Sequence, residues 1–264
     1  MTATITPGDV WSLRWDGKDL ARALVVQVHD DFIVAWPLTG AAHPAYAPGL
    51  LVDDEHRFLG TVVWPSRPTG IGNHLLGNRL GTLLDEDAIE AITNQMEDPE
   101  AELTILPLGG APYDPEADER LLNEWTTYCL HTGTSEEQHW LNTSRIDSSR
   151  SVAEALGLSV AQTRAYWNGM KPLTDTQIGA LASRTGIPAE DLTGADPYVH
   201  VVQRLAHPDF KTAVEARVQA TGLDEEHVRA STRQEFALAA RDDSPARMED
   251  KLRDALARVG ESEQ

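Results

Sequence analysis

The residues whose types and spacing invite a chemical reading lie in Ser149–Gly169, SRSVAEALGLSVAQTRAYWNG. Two short helices crossing steeply about a tight turn make particular demands. A small residue must sit at the crossing, and Ala153 is one. The turn needs a residue that tolerates positive φ, and Gly157 supplies it between Leu156 and Leu158, which plug the angle. Ser159 is a ready N-cap for the second helix. Thr163, Tyr166 and Trp167 then fall on its inner face, and Gly169 ends it. Around this frame stand Arg150, Gln162, Arg164, Asn168 and Lys171, the residue types that donate to phosphates and base edges.

The charge distribution singles out the same stretch. The whole chain of 264 residues carries a net −20, a balance that repels nucleic acid over most of its length. Residues 1–95 hold six basic against twelve acidic side chains, 96–147 two against twelve, and 190–264 ten against sixteen. Residues 148–189 alone reverse the sign, with four basic side chains against two acidic.

Other chemistries find no comparable pattern. The nine histidines (29, 43, 56, 74, 131, 139, 200, 207 and 227) include no pair at close helical metal-site spacing, and Cys129 is the single cysteine, so no zinc or other metal is expected. His29 beside Asp30-Asp31 reads as a turn. No phosphate-cradling Gly-rich loop is present, Thr69–Gly72 reads as a plain loop, and no cofactor is expected. No run of 18 apolar residues occurs, which argues against a membrane span. MTATITPGDVW lacks the basic-then-apolar order of a signal peptide. With a lone cysteine, the expectation is a reducing cytoplasm.

Residues 9–64 read as strands: Asp9–Trp15, Ala21–His29, Asp31–Thr39 and Gly60–Trp64, with Asp16-Gly17 as a tight turn. Short strands and tight turns predict a small antiparallel β-barrel, with Trp11, Trp15, Trp36 and Trp64 in its core or rim. Asp85–Met96 carries acids in its first turn and apolar residues at helical spacing, so it reads as a helix. Residues 97–119, rich in Pro and acids, read as a solvated linker with one strand at Glu102–Leu106. Asp118–Leu130 shows a helical stripe at 121, 122, 125, 128 and 129. The capping-box pattern Ser135-Glu136-Glu137-Gln138 predicts a helix to about Ile146. Two or three helices are expected in 198–258, broken at Gly222 and at Asp243-Ser244-Pro245, with stripes at Val201, Val202, Leu205 and at Val214, Val218 as candidate dimer contacts.

With those residues in view, Ser149–Leu192 resembles the Xre/Cro family of phage repressors, the lambda-repressor-like helix-turn-helix proteins. Ser151-Val152-Ala153, Gly157 and Asn168-Gly169 stand where that family has them, and TDTQIGALASRTGIPAEDL is similar to its following helices. The resemblance implies that Val160–Asn168 is a recognition helix in the major groove of double-stranded DNA. It carries Ser149, Val160, Ala161, Gln162, Arg164 and Asn168 over as contacts. This chain departs from the family at Val160 and Ala161, where polar side chains are usual; these two can touch a thymine methyl but not hydrogen-bond a base edge. Gln162 and Arg164 are then expected to carry direct readout, and Arg150, Asn168 and Lys171 to meet phosphates.

A second resemblance covers about Pro7–Ile92. Gly8-Asp9-Val10-Trp11, Arg22 leading a Leu-Val-Val strand, Thr39 ending the next strand and Arg79-Leu80-Gly81 before a helix are together similar to the MazF/PemK small β-barrels. In that family the resemblance implies RNA cleavage, with Arg22 stabilising the scissile phosphate and Arg22 and Thr39 assisting proton transfer. Here Ala23 replaces the family's proline after the arginine, and the segment is acidic.

The expected fold is α+β and multi-domain: a barrel at 1–96, an acidic linker at 97–117, a helix-turn-helix domain at 118–197 and a helical segment at 198–264. The expected function is a dimeric, sequence-specific DNA-binding transcriptional regulator with a non-catalytic barrel. The alternatives are a toxin-like endoribonuclease using Arg22 and Thr39, and a non-enzymatic interaction scaffold that engages partners through the barrel.

Overall fold

Unbroken apolar runs such as Ala23-Leu24-Val25-Val26 suit strands buried on both faces, and that is how the N-terminal strands are used. The computed structural model describes residues 4–40, 43–52, 58, 60–97, 112–131, 138–239 and 247–260. It is an α+β protein whose mostly antiparallel sheet comes first and whose later part is helical. The chain divides into two compact units, Met1–Gly133 with Ala206–Glu215, and Thr134–Leu205 with Ala216–Gln264.

The first unit holds strands β1 (Asp9–Trp15), β2 (Lys18–Val28), β3 (Phe32–Thr39), β4 (Leu50–Leu51), β5 (Val62–Val63), β6 (Thr69–Gly72) and β7 (Leu76–Thr82). Their hydrogen-bonded order is β4-β5-β3-β2-β1-β7, and β6 shares the outer edge of β3 with β5. The turn between β1 and β2 uses Asp16 at φ +50° and Gly17 at φ +71°, the positive angles that a two-residue hairpin needs. Among the described residues the sheet is not closed into the expected barrel: β4 and β7 end the path and do not pair with each other. Helices close the two faces instead. Trp11, Leu13, Ala23, Val25, Ile33 and Ala35 alternate onto one face, against Ala117, Leu121 and Trp125 of α2 (Pro115–Cys129). Val10, Leu24, Trp36 and Leu38 take the other face, against Ile89 and Ile92 of α1 (Glu86–Glu97).

Each of these helices starts earlier or later than its apolar stripe suggests because side chains set its end. Asp85 accepts from the Ala88 amide ahead of α1. Asp114 accepts from the amides of Glu116 and Ala117, with Pro115 opening α2. The start of α2 therefore lies inside the expected linker, and α2 packs on the sheet rather than with the helices that follow. Leu122, placed on the buried stripe by sequence, is exposed, while Asp118 is buried. The Asp118 carboxylate accepts from Arg67 Nε at 2.9 Å, from Arg67 Nη2, from Tyr113 at 2.9 Å and from Tyr46 at 3.3 Å. Four donors on one buried carboxylate hold it well below the usual carboxylate range, the Arg67 bond first among the causes. The expected strand at Glu102–Leu106 lies outside the described residues.

The second unit opens with β8 (Trp140–Leu141), paired antiparallel to β9 (Thr193–Gly194). The helix expected over 135–146 is therefore not formed in its described part. Residues 135–137 of its capping box lie outside the described residues, and buried Trp140 and Leu141 are committed to the strand pair. Between β8 and β9 come α3 (Ser149–Leu156), α4 (Val160–Trp167), α5 (Asp175–Thr185) and the single turn α6 (Ala189–Leu192). After β9 follow α7 (Val199–Ala206), α8 (Pro208–Thr221), α9 (Glu225–Ala239) and α10 (Met248–Arg258). This is more than the two or three helices expected, because Pro208 separates α7 from α8. Gly222, at φ +73°, ends α8 as expected; Asp243-Ser244-Pro245 lies outside the described residues. The first half of α8 belongs to the first unit. There Lys211 Nζ donates to the carbonyls of Arg14 at 2.7 Å and His74 at 3.0 Å, and Glu215 pairs with Arg14. Among the described residues no helix is long and apolar enough to cross a membrane.

Candidate nucleic-acid interface

The helix pair α3–α4 is fixed by local chemistry at every junction. Ser148 caps α3, its hydroxyl accepting from the Ser151 amide. The helix stops at Gly157, at φ +64°, whose amide and that of Leu158 both return to the Ala153 carbonyl, the left-handed exit that favours glycine. A Cβ at Gly157 meets nothing within 4 Å, so the backbone angle alone selects glycine there. The turn Gly157-Leu158-Ser159 leads into a capping box. Ser159 accepts from the Gln162 amide, and Gln162 Oε1 accepts from the Ser159 amide at 3.0 Å and hydroxyl at 2.9 Å.

The inner face of α4 is the expected one. Thr163 is fully buried, its hydroxyl donating to the Ser159 carbonyl at 3.0 Å. Ala153 and Val152 are buried on α3. Half-buried Tyr166 and Trp167 pack on a core of Leu141, Ile146, Val152, Leu173, Ile178, Leu181 and Leu192. The Tyr166 hydroxyl also accepts from Gln177 Nε2 at 3.0 Å, which ties α4 to α5. Thr174 and Gln177 form a second capping box at the start of α5.

The outer face gathers most of the residues expected from the sequence to contact DNA. Val160, Ala161, Gln162, Arg164, Asn168 and Lys171 are exposed, as is Arg150 on α3; Ser149 is half-buried. Val160, Arg164 and Asn168 follow one another at single-turn intervals, so they form one line with Ala161 beside it. Val160 is 52% exposed, a large apolar side chain facing solvent at the first position of the helix. Asn168 caps the C-terminal end, its amide donating to the Arg164 carbonyl, so α4 ends at Trp167, one residue before its expected end. The Gln162 carbonyl oxygen is engaged in the capping box, and Arg164 is the long charged side chain in the middle of the exposed stripe. Arg150 Nε lies 3.3 Å from Glu154 one turn along α3, an exposed pair of little energetic weight that leaves the guanidinium near the surface.

A cluster that sequence reasoning missed holds the exit of α4. Arg233, on α9, lies on the buried stripe with Val228, Thr232 and Phe236 and is only 6% exposed. It donates through Nε to Asp196 at 3.0 Å and through Nη2 to the Gly169 carbonyl at 2.8 Å. Its guanidinium carbon lies 3.7 Å from the centre of the Trp140 ring and 5.1 Å from that of Tyr198. An arginine on an otherwise buried helical stripe was the available signal. On the next turn back, Glu225 and Arg229 form a fully buried pair, and Arg229 also donates to the Leu205 carbonyl at 2.7 Å.

The pair implied for RNA cleavage does not assemble. Arg22 sits directly across from Leu38, so it shares the Leu24 and Leu38 face of the sheet. Thr39, one residue on, points to the opposite face. There it is 7% exposed and accepts the Trp64 indole N–H at 2.9 Å. Other pieces of that resemblance do structural work. Arg79 makes a two-pronged bond to Asp9 at 2.7 Å on each prong and reaches Thr82 at 2.8 Å. A Cβ on Gly8 would stand 1.9 Å from the Leu84 carbonyl oxygen. Among the described residues no group of three or more His, Cys, Asp or Glu is placed to hold a metal ion. No family model, curated protein or solved structure matches this chain.

Proposed function

We propose that this protein is a sequence-specific DNA-binding transcriptional regulator that reads the major groove with α4 and acts as a homodimer in the cytoplasm, its N-terminal sheet being non-catalytic. The observation that carries the reading is the two-sidedness of α4. One side is sealed by Thr163, Tyr166 and Trp167, and the other presents Val160, Ala161, Arg164 and Asn168 to solvent. That stripe belongs to the stretch where basic residues outnumber acidic ones. The resemblance of Ser149–Leu192 to Xre/Cro repressors supports the same assignment. The resemblance of Pro7–Ile92 to MazF/PemK barrels is kept only as a likeness of sequence, because Arg22 and Thr39 face opposite sides of the sheet.

In this reading Arg164 supplies direct readout and Val160 and Ala161 supply methyl contacts. Arg150, Lys171, Asn168 and Ser149 orient the pair on the phosphates. Two copies would read half-sites about 34 Å apart, one turn of the duplex. The experiment is a fluorescence-anisotropy titration of the full chain against the DNA upstream of its own gene, alongside Arg164→Ala. The reading expects a preference over unrelated duplex that falls by a factor of about 5 to 150 in the variant, the span of one lost bidentate base contact. Equal affinity for both duplexes would overturn it.

A further inference from the structure

We infer that Arg233 is a positioning residue for DNA reading: it sets the placement of the α4 stripe through the Gly169 carbonyl, an inference that rests on the reading of α4 as the DNA-contacting helix. One guanidinium reaches three separate pieces of chain. It faces the ring of Trp140 on β8, binds the Asp196 carboxylate between β9 and α7, and donates to Gly169 directly after the cap of α4. The planar fork of arginine can stack and donate in two directions at once; the point charge of lysine cannot.

The Gly169 end of that contact has no slack. Gly169 is at φ +64°, and a Cβ there would stand 2.2 Å from Pro197 Cγ. Pro197 in turn follows Asp196, the carboxylate that Arg233 grips. The exit of α4 is thus held from one side by a proline and from the other by a donated hydrogen bond, both referred to the same segment. Asn168 immediately precedes this clamp, and its amide donates to the Arg164 carbonyl. A burial of this kind is poorly explained by stability alone, because an apolar pair of equal volume commonly does as well or better. What the ion pair supplies is one arrangement in place of several. Base-edge hydrogen bonds weaken steeply once their angle and distance drift, so the stripe must be placed to within a fraction of a bond length.

The test measures two affinities at one salt concentration for the full chain: one for a duplex that the wild type prefers and one for an unrelated duplex. The variants are Arg233→Lys and, in case the lysine disturbs folding, Trp140→Leu, which removes the stacking face and leaves the ion pair. A merely structural lesion lowers both affinities by the same folded fraction. The inference expects the unrelated duplex to be bound within about twofold of wild type while the preferred duplex loses about tenfold or more in Arg233→Lys. Trp140→Leu should fall between the two proteins. An unchanged ratio of the two affinities in both variants would overturn the inference while leaving the reading of α4 intact. A wild type with no preference between duplexes would overturn the reading itself, and this inference with it.

Discussion

Gly157 and Gly169 share one backbone angle, φ +64° in each, and differ in what surrounds them. This makes a matched pair of substitutions informative. At Gly157 an added Cβ meets nothing within 4 Å, so Gly157→Ala carries only the left-handed backbone cost of about 1–2 kcal/mol. At Gly169 the same backbone cost applies, and the Cβ would also stand 2.2 Å from Pro197 Cγ and 3.3 Å from its Cδ. Overpacking of that kind adds about 1–3 kcal/mol, for about 2–5 kcal/mol in all. Urea unfolding followed by far-UV circular dichroism reads both values, with the slope against denaturant checked for constancy. Gly157→Asn should recover much of the Gly157→Ala loss, since asparagine tolerates the left-handed region. Gly169→Ala/Pro197→Gly should relieve the steric part alone. Equal losses for the two alanines, or a larger loss at Gly157, would refute this description of the exits of α3 and α4.

Three further outcomes follow from the same geometry. Asp118→Asn removes the charge that Arg67, Tyr46 and Tyr113 share and should cost about 1.5–3 kcal/mol at pH 7. Because the Asp118 pKa is lowered in the fold, that difference should be fully present above the ordinary carboxylate pKa and shrink as the pH falls through the lowered one; paired urea titrations from pH 7 to pH 2 check it. Arg229→Met should cost about 3–5 kcal/mol by removing the cation paired with buried Glu225, whereas Glu225→Leu/Arg229→Met should recover most of it, as a double-mutant cycle in urea will show. Replacing thymine by deoxyuracil in a preferred duplex should weaken wild-type binding by about 1 kcal/mol at positions facing Val160, and Val160→Ser should abolish that sensitivity.

What was legible in the sequence was local. β1 has the bounds its apolar alternation predicts, Asp16-Gly17 makes the expected turn, and Gly157, Ser159 and Thr163 take the positions that a two-helix junction demands. What was not legible depends on partners far along the chain. Thr69–Gly72 and Leu76–Thr82 are glycine-rich and weak strand formers, and they are strands because β3 and β1 offer them free edges. Trp140-Leu141 reads as the body of a helix until β9, some fifty residues on, claims it. Arg22 and Thr39 look like partners in sequence, and only the cross-strand register puts them on opposite faces. Pro115 shows the reverse case, a local signal overridden: a proline after a capping Asp is a helix start, but the surrounding prolines and acids read as linker. Gln162 was legible as polar and exposed, yet its carbonyl is already engaged by Ser159.

In the proposed function α4 reads base sequence as one of a symmetric pair. Selection of binding sites from a randomised duplex pool by the full chain tests it most directly. The expected result is enrichment of a two-fold symmetric site with half-sites about 34 Å apart, one helical turn, and relaxation of preference at one position per half-site in Arg164→Ala. A pool that leaves the selection with its input composition would contradict it.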